Sequence, residues 1–236
     1  MGFNLGGMLE NTMAPASMLV EKSKKTPVQV RATALLISGG GRENEEMTRQ
    51  AVIDATRRWI SSIVIELNLC PFARRVFVAE KIRYVVSDAA NEEQLLNDLA
   101  DEIMRLAGSR NSEIETTLLI HPQALSDFLD YNDFLSAADD LIKSLGQRGV
   151  IQLASFHPHY RFAGTEADDV ENYTNRSPFP MLHLLREESI TAVNEAPDEL
   201  LEIPRRNIET LRKLGLEAMR QKLKAIEDDG NPTQGP

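Results

Sequence analysis

Cysteine occurs once in the 236 residues of this chain, at Cys70. That excludes an intrachain disulfide and fits a reducing compartment, cytoplasmic in the simplest case. Long apolar runs are missing as well. Runs such as Leu118–Ile120 and Ile63–Ile65 fall far short of the ~20 residues that a membrane-spanning helix needs. Positive charge is in deficit, with 26 Lys+Arg against 36 Asp+Glu and a net charge of −10. The general field therefore repels nucleic acid and anionic membrane surfaces, although a local basic pocket stays open. No internal repeat is present, and neither His-Glu-x-x-His nor Cys-x-x-Cys occurs to announce a metal site.

What is there reads as ordinary globular protein, 42% hydrophobic and 26% charged, of a length suited to a single domain. Residues 1–46 carry no sustained period and read as a disordered leader or an over-extended start. Their basic and hydroxylated residues also fit an organellar transit segment, which would place the protein in a stroma or matrix. From Thr48 the positions Val52, Ala55, Trp59, Ile60, Ile63, Val64 and Leu67 recur at helical spacing to about Leu69, so one face of this helix is an apolar wall. Strands are expected at Ile82–Val86, Glu115–Ile120 and Val150 to about His157. Between them lie a helix opened by Asn91 and closed by Gly108, and a helical region from Leu125 to Leu145, with a break left open near Asn132. The pattern predicts one α/β domain over 47–227 whose β-α-β-α-β core forms a small, mainly parallel three-stranded sheet with flanking helices. A last helical segment starts near Pro204, and residues 228–236 read as a disordered tail.

The polar residues that look too specific to be surface filler gather between Val150 and Arg186. His157 and His159 sit two apart, which on an extended backbone puts both on one face as a usable metal chelate. A third ligand would come from His183, His121, or a loop carboxylate of Glu166, Asp168 or Asp169. Without a metal, imidazole still supplies acid–base chemistry near neutrality, and His157 and His183 are the candidates. Ser177-Pro178 reads as a helix start running to about Val193, with His183, Arg186 and Glu187 on one face. Asn175, Arg176 and Ser177 at that start would seat an anion, a carboxylate rather than a phosphate because Pro178 and Pro180 remove two amides. Cys70 is an inert apolar thiol if the first helix ends on it. It is a nucleophile candidate if Pro71 opens a new helix with Arg74 and Arg75 one turn on.

Together, Leu67-Asn68-Leu69-Cys70-Pro71-Phe72-Ala73, Glu115-Thr116-Thr117-Leu118, Gln152-Leu153-Ala154-Ser155-Phe156-His157-Pro158, Asn172-Tyr173-Thr174-Asn175-Arg176-Ser177-Pro178 and His183-Leu184-Leu185-Arg186 resemble a bacterial and plant family called domain of unknown function 1415. The resemblance runs from about Met47 to Gly215. It implies a family pattern that includes Cys70, His157, Asn175, Arg176 and His183, and it implies no activity. Two functional readings follow from the residues. One is an enzyme acting on a small anionic, carboxylate-bearing metabolite, with His157 and His183 as an acid–base pair or metal ligands, Cys70 as nucleophile, and Asn175, Arg176, Ser177 and Arg186 as the anion clamp. The other is a non-catalytic ligand-binding or assembly protein in which a His/Arg network is structural and the helices dock a partner, a second copy of the chain included.

Overall fold

The computed structural model describes residues 41–192 and 197–228. The readings for residues 1–40 and 229–236 therefore lie outside the described residues. The first helix, α1 (Gly41–Trp59), begins upstream of Met47 and passes into a π-helical turn, Ile60–Ile65. A short helix α2 (Ala73–Val78) leads into strand β1 (Ile82–Val86), and helix α3 (Glu92–Gly108) crosses over to β2 (Thr116–Ile120). Asn91 caps α3 by accepting from the Gln94 amide at 3.0 Å, while the Gln94 side chain accepts from the Ala90 amide at 2.9 Å. That local chemistry is why the start of α3 is readable from sequence. Helix α4 (Phe128–Ser144) is opened by Asp127, whose carboxylate accepts from the Leu129 amide at 2.8 Å. It runs unbroken through Asn132, where the pattern left a break open.

Strand β3 (Ile151–Phe156) follows, then a 3-10 turn at Val170–Thr174 and a fourth strand, β4 (Met181–Arg186). The sheet order is β1-β2-β4-β3, with β1 and β2 parallel and β4 antiparallel to both β2 and β3. The sheet thus has four strands, mostly antiparallel, and not the three mainly parallel ones expected. The helix expected over Ser177 to Val193 is the source of the error. Phe179 stands before Pro180, and Ser177 before Pro178, so the entry is steered away from the α region into extended backbone. Met181–Arg186 then fills the gap between β2 and β3. Because this strand is covered on both faces, its apolar residues, interrupted only by His183 and ended by Arg186, show no alternation to betray it. A helix begins only at Glu187, α5 (Glu187–Ala192).

Helices pack on both sheet faces. Leu119, Leu182 and Leu184 turn toward α3 and α4, where Leu95, Leu99, Ile103 and Tyr131 are fully buried. Leu118, Ile120 and Met181 turn the other way, toward α1, the π-turn and the last two helices, α6 (Pro197–Leu214) and α7 (Leu216–Asp228). Pro204 lies inside α6, so that helix starts earlier than its proline suggested. Gly215, at φ 86°, makes the corner between α6 and α7 that a side chain would strain. Among the described residues no helix is long and apolar enough to cross a membrane.

Candidate functional site

The segment between β3 and β4 is held by its own polar groups. His157 is fully buried beside Phe128 and Tyr131. Its Nδ1 accepts from the His159 amide at 3.0 Å, so Nε2 carries the proton and donates to the Leu125 carbonyl at 3.1 Å. Burial pushes its pKa down to about 4, and with both nitrogens engaged the ring is neutral and committed. His159 is exposed. Strand β3 ends at Phe156, so the pair lies in a turn and the two-residue alternation that would aim both rings at one metal does not apply. His121 is also buried, its Nδ1 donating to the Ala124 carbonyl at 3.0 Å, its ring stacked on Tyr131, and its pKa lowered to about 4 by burial.

Arg176 donates to the carbonyls of Tyr160 and Ala167 at 3.3 and 2.6 Å, and its guanidinium lies 4.5 Å from the centre of the Tyr173 ring. Asn175 donates to the Ser155 carbonyl at 3.0 Å, and the buried Ser177 hydroxyl donates to the Phe179 carbonyl at 2.7 Å. No helix begins at Ser177, so the dipole end that would have drawn an anion there is absent. Asn172, fully buried, completes the loop by accepting from the Phe162 amide and the Thr165 hydroxyl and donating to the Glu166 carbonyl. Asp168 and Glu171 pair with Arg220 and Arg212 on the last two helices.

Arg186 and His183 part company on β4, since residues three apart on a strand face opposite ways. The Arg186 side chain is buried against the end of α3, donating to the carbonyls of Leu106, Ser109 and Ile114 at 2.5, 2.7 and 3.3 Å. It closes the carbonyl end of a helix, where a cation is favoured. His183 faces the other layer and lines a chamber of about 500 Å³ between the sheet and the π-turn. Thr116 is shared between β2 and this chamber. Its hydroxyl donates to the Leu184 carbonyl at 2.6 Å, and therefore the 2.6 Å contact with His183 Nε2 has the imidazole as donor. The acceptor nitrogen of His183 is then Nδ1. Burial lowers its pKa to about 4, and no carboxylate offsets the effect.

Cys70 lines the same chamber, together with Trp59, Ile60, Val64 and Phe72. Burial raises its thiol pKa, partly countered by the amides of Phe72 and Ala73. The chamber thus brings Cys70 and His183 to one space, is bordered by Arg186 as well, and leaves His157, Asn175, Arg176 and Ser177 out of it. At the mouth, Glu115 is buried and gripped by both terminal nitrogens of Arg75, one of them at 3.0 Å, while the Arg75 side chain is half exposed. Arg75, Glu115 and Ser189 also line a second, more open depression with Lys81, Asn111, Ser112 and Glu188, so an apolar chamber continues into a polar vestibule. Glu115, Thr116, Gln152 and Ser189 escaped the reading of the sequence. The signal for Glu115 was a carboxylate directly ahead of an all-buried strand, a place that requires a partner.

The candidate metal ligands do not converge. Among the described residues no group of three or more His, Cys, Asp or Glu side chains is placed to hold an ion. The molecule is a three-layer α/β protein with a largely apolar chamber on one sheet face and a charged vestibule at its mouth. Its sequence matches, over residues 51–221, the family model described as protein of unknown function (DUF1415), and the chain belongs to that family. Comparison with curated proteins and with solved structures returns no match.

Proposed function

We propose that this protein binds a small, mainly apolar molecule in the chamber between the π-turn and the sheet. What supports the reading is the chamber itself, about 500 Å³ and lined by aromatic and aliphatic side chains with a few polar groups, within the usual range of small-molecule sites. The π-turn in its wall is a second feature common at such sites. The strand-end segment acts as frame: its histidine and arginine bond to backbone carbonyls, and Trp59 of the chamber wall donates to the Arg176 carbonyl at 3.0 Å. Native mass spectrometry of freshly purified protein tests the reading, beside the variant Ala154→Phe, which fills the chamber next to His183. The expected result is a bound small molecule in the parent and none in the folded variant. Equal occupancy of both would sink the idea.

A second reading adds chemistry, and the presence of Cys70 and His183 in one chamber favours it. Here the thiol attacks an ester or thioester carbonyl of the bound molecule: the S–C bond forms as the acyl–heteroatom bond breaks, His183 Nδ1 passes the thiol proton to the leaving group, and water then hydrolyses the acyl-enzyme. Both pKa shifts oppose the charged forms in the free protein, so a ligand that supplies charge of its own would have to activate the pair. Cys70→Ser and His183→Gln are expected to abolish turnover of the co-purified molecule while leaving it bound. Turnover unchanged in both would confine the protein to binding.

A further inference from the structure

We infer that the ligand carries a carboxylate head, and that this head sits in the vestibule on Lys81 and the exposed side of Arg75 while its apolar body fills the chamber. This rests on the chamber being a ligand site. The two spaces share Arg75, Glu115 and Ser189, so a molecule filling the first ends in the second. An apolar body belongs inside, because the chamber wall is built from Trp59, Ile60, Val64, Phe72, Leu118 and Phe156, and each buried methylene contributes about 0.8 kcal/mol.

The head must then satisfy four charged side chains, and they are not equivalent. Glu115 is already gripped at both oxygens by Arg75. Glu188 accepts from the Asn111 amide at 2.6 Å. Lys81 makes no ion pair among the described residues, and the half-exposed Arg75 side chain keeps an open flank toward the vestibule. A carboxylate entering there gains an uncommitted ammonium, the guanidinium flank, and the hydroxyls of Ser112 and Ser189. An ammonium head would meet the same two cations and find only Glu188. A hydroxyl head would leave Lys81 as it is. The anion clamp of this protein is thus Lys81 with Arg75, while Arg186, which also borders the chamber, is committed to the carbonyls of Leu106, Ser109 and Ile114.

The test uses the full chain and its only tryptophan, Trp59, which lines the chamber and reports occupancy by its emission. Octanoate, octanol and octylamine share one body and differ in the head. Octanoate is expected to bind about fivefold or more tightly than the other two, the value of one partly exposed ion pair. Lys81→Gln, which removes no structural partner, is expected to erase that preference and leave octanol binding unchanged. The double variant Arg75→Gln/Glu115→Gln, which removes the pair without stranding a buried charge, should lower that preference while Lys81 remains. Equal affinity for the three, or tightest binding of octylamine, would overturn the carboxylate head and leave the chamber standing. No response of Trp59 to any of them would overturn the chamber itself as the site.

Discussion

Acidification from about pH 7 to about pH 5 should destabilise this fold strongly, through the buried His121 and His157 and the partly buried His183. His121, His157 and His183 each have a pKa lowered to about 4 by burial, from an ordinary 6.5. In the unfolded chain each takes up a proton as the pH falls below its ordinary value, while in the folded chain it does not until about pH 4. The unfolded state therefore binds more protons across this window, and stability declines as pH falls. Each group contributes a loss of about 2 kcal/mol at about pH 5, approaching about 3.4 kcal/mol below pH 4. Three such groups amount to about 6 kcal/mol at about pH 5, comparable with the whole stability of many domains, about 5 to 15 kcal/mol. Glu171 does not confuse the comparison. Arg212 holds its pKa below the ordinary 4.5, so what it contributes is lost only at lower pH. Urea unfolding at the two pH values, with histidine titrations followed by NMR, measures the effect. A stability at pH 5 within about 1 kcal/mol of that at pH 7, or three ring pKa values near 6.5, would show that these side chains are hydrated and that the frame described for His157 is wrong.

Cys70 should react slowly with iodoacetamide near neutral pH, slower than free cysteine, because burial outweighs the two amides that favour its thiolate. Labelling as fast as free thiol would mean a depressed pKa and would revive the nucleophile in the resting protein. Arg186→Met should cost about 3 kcal/mol or more, since it strips the donors from the carbonyls of Ser109 and Ile114 at the end of α3. A loss below about 1 kcal/mol would return Arg186 to the list of available ligand clamps.

The parts of the fold that were legible in the sequence are those decided within a few residues. Asn91, Gln94 and Gly108 mark α3 because capping is local chemistry, and β1 and β2 carry β-branched residues between breaks. β4 was not legible, because its two apolar faces are set by layers distant in sequence, and only the Pro178-Phe179-Pro180 entry hinted at extension. The same error set His183 beside Arg186 on an imagined helix face, when the strand sends them to opposite layers. His183 nevertheless stands at the chamber, and Cys70 stands with it. Their meeting depends on how β4 sits against the π-turn, a relation that no spacing in the chain records. Arg176 was visible as an unusual residue, but sequence does not distinguish a guanidinium awaiting an anion from one already spent on carbonyls.

One wall of the chamber is the π-turn at the end of the first long helix. Ser61 and Ser62 both turn their hydroxyls back onto the Arg58 carbonyl, at 3.0 and 2.6 Å, and such bonds loosen the helical ladder at that turn. The amides of Glu66 and Leu69 then reach five residues back, to Ser61 and Val64 at 3.2 and 2.9 Å. A turn closed over five residues brings position i+5 back toward the face of position i, which in a regular helix points well away. Trp59 and Val64 are such a pair, and both line the chamber. In an ordinary α-turn, position i+5 points well away from position i, and Val64 would rotate off that face. The adjacent serines thus stand at the turn where the ladder loosens, behind the chamber wall and not in its lining.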